Sequence, residues 1–125
     1  MTGLVQIHVS LATAVMLFNV VLGVWGFIKF FRGDGMDGNY FGAVALSPVI
    51  GLVQMAVGIA LVVMGLGVNV RFVHYLYGAL VIVTVPGVFA FTRGRDDRGA
   101  VLIYAAFLLL IAGFGLRAYT TGYGG

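Results

Sequence analysis

Four apolar runs, joined by connectors too short to hold more than turns, leave this chain few ways to fold. The runs cover roughly residues 4–31, 40–66, 70–91 and 99–119 of a 125-residue chain. A helix crosses a bilayer with about 20 mainly apolar residues, so each run is long enough to span. A spanning segment must satisfy its own backbone N–H and C=O groups, which a helix does and an open strand cannot. The connector Gly67-Val68-Asn69 is so short that runs two and three must be antiparallel neighbours. The pattern predicts an all-α integral membrane protein, an antiparallel four-helix bundle, with residues 1–125 forming one domain.

Composition agrees. The chain is 62% hydrophobic and 9% charged, with a mean hydropathy of +1.11. A soluble exterior needs far more charge than this, so most of the surface is expected to meet a lipid bilayer. There is no cysteine, which excludes disulfides, thiol catalysis, thiolate metal sites and covalent c-type haem attachment. The net charge of +3 does not point to nucleic acid, because the seven cations lie at the ends of the runs, where they orient a membrane protein. Lys29, Arg32, Arg93, Arg95 and Arg98 fall at the end bearing the first and third connectors, Arg71 and Arg117 at the other. Five against two predicts a bacterial cytoplasmic (inner) membrane protein with the first end facing the cytoplasm and both termini outside. No cation precedes Lys29 and no small-residue cleavage site follows a short apolar core, so the first run reads as a retained helix, not a signal peptide.

Several residues have structural readings. Trp25 and Lys29 read as aromatic and cationic anchors at the far end of run one. Pro48 is expected to kink run two without ending it. Gly51, Gly58 and Gly65 recur every seven residues and read as a packing stripe. Asn19 and Gln54 read as interhelical hydrogen-bond partners, and Tyr75 and Tyr77 as members of an aromatic belt.

All four carboxylates, Asp34, Asp37, Asp96 and Asp97, fall in loops. A proton-coupled transporter normally needs a buried acidic relay. The small four-helix multidrug exporters use a glutamate in their first helix, and run one has none. The glycine-rich arginine signature of small fluoride channels, phosphate loops and nucleophile–His–acid sets are also absent, so no catalytic residues are predicted.

What remains is a pair. The only two histidines, His8 and His74, each sit about four residues into runs one and three. Those runs cross in the same direction. At about 1.5 Å rise per residue, both imidazoles lie about 6 Å below the outer boundary. Neutral imidazole is a common axial donor to haem iron, and bundle cores host such cofactors between facing helices. Ala12 and Gly78, one turn beyond each histidine, leave room for a planar ring; Val15, two turns from His8, leaves less. Arg71 and Arg117 share the outer level and can pair with propionates, or can serve only as interfacial anchors. Each histidine can equally be a boundary residue.

On His8 and His74 the architecture resembles four-helix membrane b-type cytochromes and one half of the haem A synthase fold. The resemblance implies one haem b with His8 and His74 as metal ligands, and electron transfer with quinol and a larger membrane complex or a second copy as partners. The adjacent acidic residue of the haem A synthase half is missing here. The strings His74-Tyr75-Leu76-Tyr77-Gly78 and Gly115-Leu116-Arg117-Ala118 are also similar to those of small bacterial four-helix membrane proteins. The alternative expectation is a cofactor-free accessory or scaffold subunit.

Overall fold

A computed structural model describes residues 2–65 and 72–121. It is all-helical: α1 (Thr2–Phe31), α2 (Gly38–Val63), α3 (Phe72–Thr92) and α4 (Arg98–Thr121). All four are long and apolar enough to cross a membrane, as expected of a multi-pass membrane protein. Arg71 and the connector Gly67-Val68-Asn69 lie outside the described residues.

The helices form a closed ring of neighbours. α1 packs on α2 and α4, and α3 packs on the same two. Among the described residues α1 and α3 therefore stand diagonally, as do α2 and α4. The exterior is apolar: Leu17, Val21, Phe31, Val63, Phe72 and Phe91 are each more than 60% exposed. The best-enclosed helix is α4, whose Ala100, Val101, Tyr104, Ala105, Leu108 and Ile111 are fully buried.

Polar contacts set the register of α1 against α2. Lys29 donates to the Asp37 carboxylate at 2.7 Å, Tyr40 Oη to the Leu22 carbonyl at 2.9 Å, Ser47 Oγ to Asn19 Oδ1 at 2.6 Å, and Gln54 Nε2 to the His8 carbonyl at 2.7 Å. As numbers rise on α2 they fall on α1, so the pair is antiparallel. Tyr40, Ser47, Gln54 and Leu61 are spaced by seven, the repeat that keeps one seam on a left-handed crossing partner. Asn19 and Gln54 thus take the hydrogen-bonding roles expected of them, worth on the order of 0.6 kcal/mol each in a bilayer.

The glycine stripe of α2 is not a single seam. A Cβ on Gly51 would meet Val81 and Ile82 of α3, whereas one on Gly58 would meet His8 of α1. Gly65 lies beyond the helix, with φ +79, in the left-handed conformation that ends it. That is why α2 stops at Val63, short of residue 66. α2 and α3 both run through their prolines, Pro48 and Pro86.

At the basic end, two acids do more than populate loops. Asp37 caps α2 by accepting from the Tyr40 N–H at 2.7 Å, and Asp97 caps α4 by accepting from the Ala100 N–H at 2.8 Å. The Met36 N–H donates to the Asp96 carbonyl at 2.7 Å, joining the α1–α2 and α3–α4 loops. Lys29 is not a free anchor: it is buried and ion-paired to Asp37. Trp25 is half-buried, edge-on to Tyr40 at 4.9 Å between ring centres. Arg98 stacks on the Phe30 ring, 3.8 Å from its centre.

The Lys29 hydrogen bond, then the Tyr40 N–H, hold the Asp37 carboxyl below its ordinary value of 3.8. A depressed acid stabilises the fold above the unfolded value and stops doing so as pH falls through the folded one. Unfolding in detergent should therefore show an Asp37-dependent loss of stability only below about pH 4, and Asp37→Asn should remove that portion of the acid limb while leaving the curve between pH 5 and 7 parallel.

Candidate histidine-pair site

His8 sits two turns into α1 and His74 opens α3, so their co-directional helices bring both to the same end of the molecule. The two rings meet across the diagonal: their centres are 6.2 Å apart, with an interplanar angle of 63°. Both residues are half-buried. Neither ring is carried away from the other around its helix.

Three neighbours shape the pair. The His8 ring rests on α2 at Gly58, where an added Cβ would lie 3.1 Å from Cε1. Gln54, one turn earlier, holds the His8 backbone carbonyl. Tyr75 lies edge-on to His74, 5.8 Å between centres. Two buried polar atoms here, His8 Nδ1 and Gln54 Oε1, have no hydrogen-bond partner among the described residues. Buried polar atoms are seldom left so.

The other predicted site residues divide. A Cβ on Gly78 would meet nothing within 4 Å, so the turn after His74 is open. Ala12 is half-buried one turn from His8. Val15 is buried in the core cluster, so the interior below the pair is filled from that level on. Arg117 lies on the last turns of α4, at the histidine end, with an exposed side chain. Arg71 is outside the described residues. Farther along α1, Gly23 receives Leu109, and Gly26 receives Ala105 and the Tyr40 hydroxyl, so these glycines serve helix packing. Sequence reasoning missed Gly58 as a histidine contact, having taken it as part of a uniform stripe. It also missed that Gln54 grips the backbone of His8 itself.

The donor set restricts what the pair can hold. Among the described residues no three His, Cys, Asp or Glu side chains come together. The chain has no cysteine, and its four acids lie in the loops at the other end. Protein zinc sites draw three or four protein ligands, so two imidazoles are too few. They suffice for iron in a macrocycle that supplies its own equatorial donors. Two imidazoles bonded on opposite sides of one ion at about 2 Å each, as in zinc–imidazole sites, stand with ring centres about 6 Å apart, which the observed 6.2 Å matches. An open turn at Gly78 and this spacing fit such a group.

No protein-family model, no curated protein and no solved structure matches this chain.

Proposed function

We propose that this chain is an antiparallel four-helix bundle of the bacterial cytoplasmic membrane that binds one haem b between His8 and His74 and passes electrons. The observation that carries the proposal is the 6.2 Å approach of the only two imidazoles across the diagonal of the helix ring. The cation distribution supports an orientation with the histidine end and both termini outside. The apolar exterior supports contact with lipid on all sides.

His8 and His74 would be the axial ligands, Ala12 and Gly78 would leave the ring its space, and Arg117, with Arg71, would pair with propionates. The haem, when bound, supplies the one-electron chemistry. The protein's own part is to fix two neutral imidazoles at one depth and to keep water away by the filled core from Val15 onward. Quinol on one side, and a larger membrane complex or a second copy on the other, are the proposed electron partners.

Protein purified in detergent from haem-replete cells should show a sharp low-spin b-type difference spectrum between its oxidised and dithionite-reduced forms. A colourless preparation sinks the proposal and favours the cofactor-free scaffold. In that case the bonded Asn19, Ser47 and Gln54 would serve packing alone.

A further inference from the structure

Gln54 and Gly58 stand one helical turn apart on α2, and both touch His8. Gln54 Nε2 donates to the His8 carbonyl at 2.7 Å. A carbonyl can only accept, so the amide must turn its NH2 to the His8 carbonyl, which leaves Oε1 on the other side. Oε1 is buried and unpartnered among the described residues, and so is His8 Nδ1. Covalent geometry keeps Oε1 within a few ångströms of the His8 carbonyl. One orphan is an acceptor; the other becomes a donor when protonated.

The ring is held close by what Gly58 lacks. A Cβ there would lie 3.1 Å from His8 Cε1 and 3.8 Å from Nδ1. The same device recurs lower on the α1–α2 contact, where Gly26, lacking a side chain, lets the Tyr40 hydroxyl reach the Leu22 carbonyl. The seat at Gly58 brings the imidazole edge against α2 one turn beyond Gln54.

We propose that Gln54 is the positioning residue of the histidine pair: its side-chain oxygen, through one buried water, accepts the proton of His8 Nδ1 and holds the ring as the Nδ1–H tautomer. The water donates to Oε1 and accepts from Nδ1–H, so both orphans are satisfied by one molecule. Nε2 is then left as a lone-pair donor. Histidines that bind metals characteristically give their other N–H to such an acceptor, which fixes the ring and raises its basicity. This inference deepens the haem reading and rests on it for its purpose. Its physical content does not, because the tautomer exists with or without haem.

The test is nitrogen-15 NMR of histidine-labelled, haem-free protein in detergent, with His74→Ala used to assign His8. The parent should show His8 as Nδ1–H, the form a free imidazole disfavours. Gln54→Leu should shift it to Nε2–H. Gln54→Glu keeps an acceptor but sets a carboxylate oxygen against the His8 carbonyl and adds a charge, so it should retain Nδ1–H, with unfolding from micelles checking that the fold survives. In the haem-loaded protein, Gln54→Leu should weaken haem retention about 10–100-fold and raise the midpoint potential, while Gln54→Glu should lower it. An Nε2–H parent overturns the proposal. So does Nδ1–H unchanged in Gln54→Leu, which would assign the role to the α2 backbone. A colourless parent whose His8 is Nδ1–H and responds to Gln54 removes the haem reading and leaves this one standing.

Discussion

Gly26→Ala should be strongly destabilising for a change of one methyl group. The new Cβ would lie 2.8 Å from the Ala105 Cβ and closer still to the Tyr40 hydroxyl. Ala105 is fully buried on α4, and Tyr40 is fully buried on α2. Neither has a free side to move to. If α4 backs away, the tightest helix contact in the molecule opens. If Tyr40 turns away, its hydroxyl leaves the Leu22 carbonyl in an interior without water. Overpacking costs about 1–3 kcal/mol, and an orphaned buried hydroxyl costs about 1–3 kcal/mol more. The sum is on the order of 3 kcal/mol or above, read as a lower midpoint in denaturant unfolding from micelles. Gly42→Ala and Gly87→Ala are the controls, because nothing lies within 4 Å of a Cβ at either, and alanine gains up to about 1 kcal/mol over glycine inside a helix. Tyr40→Phe added to Gly26→Ala should recover part of the loss by removing the hydroxyl that clashes. Equal stability of Gly26→Ala and Gly42→Ala would show that the helices do not meet as described.

The number and position of the helices were legible because length and polarity alone decide them when lipid is the solvent. Which face of each helix turns inward was much harder to read. In a soluble helix an apolar stripe marks the core; here Leu17 and Val21 are as apolar as the buried Val15 and Leu22, so that contrast vanishes. The inward face is instead written in small and polar residues: Asn19, Gly23 and Gly26 on α1, and Ser47, Gly51, Gln54 and Gly58 on α2. The sequence shows such residues but not their partners. Gly51 and Gly58 stand seven residues apart on nearly the same face of α2, yet one admits α3 and the other a histidine ring, because a different neighbour stands opposite at each depth. Lys29 shows the same limit. Its place near a helix end marks an anchor, and only the fold shows Asp37 arriving opposite it. Of the candidate site, the co-direction and level of His8 and His74 followed from counting residues. Their turning toward each other depends on rotation about two helix axes, which no spacing within one run can supply.

His8→Ala and His74→Ala should each abolish the low-spin spectrum, and to the same degree. The reason is the donor count. With two imidazoles and no third His, Cys, Asp or Glu gathered among the described residues, losing either leaves one axial nitrogen and no replacement. A metal-site second shell can be altered at a cost of about 10–100-fold in affinity; removing a ligand from a two-ligand site must exceed that, so haem should be lost on purification or persist only as a high-spin form. The two variants also carry separate packing costs. His8 fills the seat at Gly58, whereas His74 meets Tyr75 and the open turn before Gly78. His8→Ala should therefore lower stability in the haem-free protein more than His74→Ala does. This asymmetry makes the test sharp: unequal stability with equal loss of the spectrum identifies a shared ion between the rings. A spectrum lost only with His8, tracking the loss of stability, would mean that the imidazole served packing and that iron was bound elsewhere.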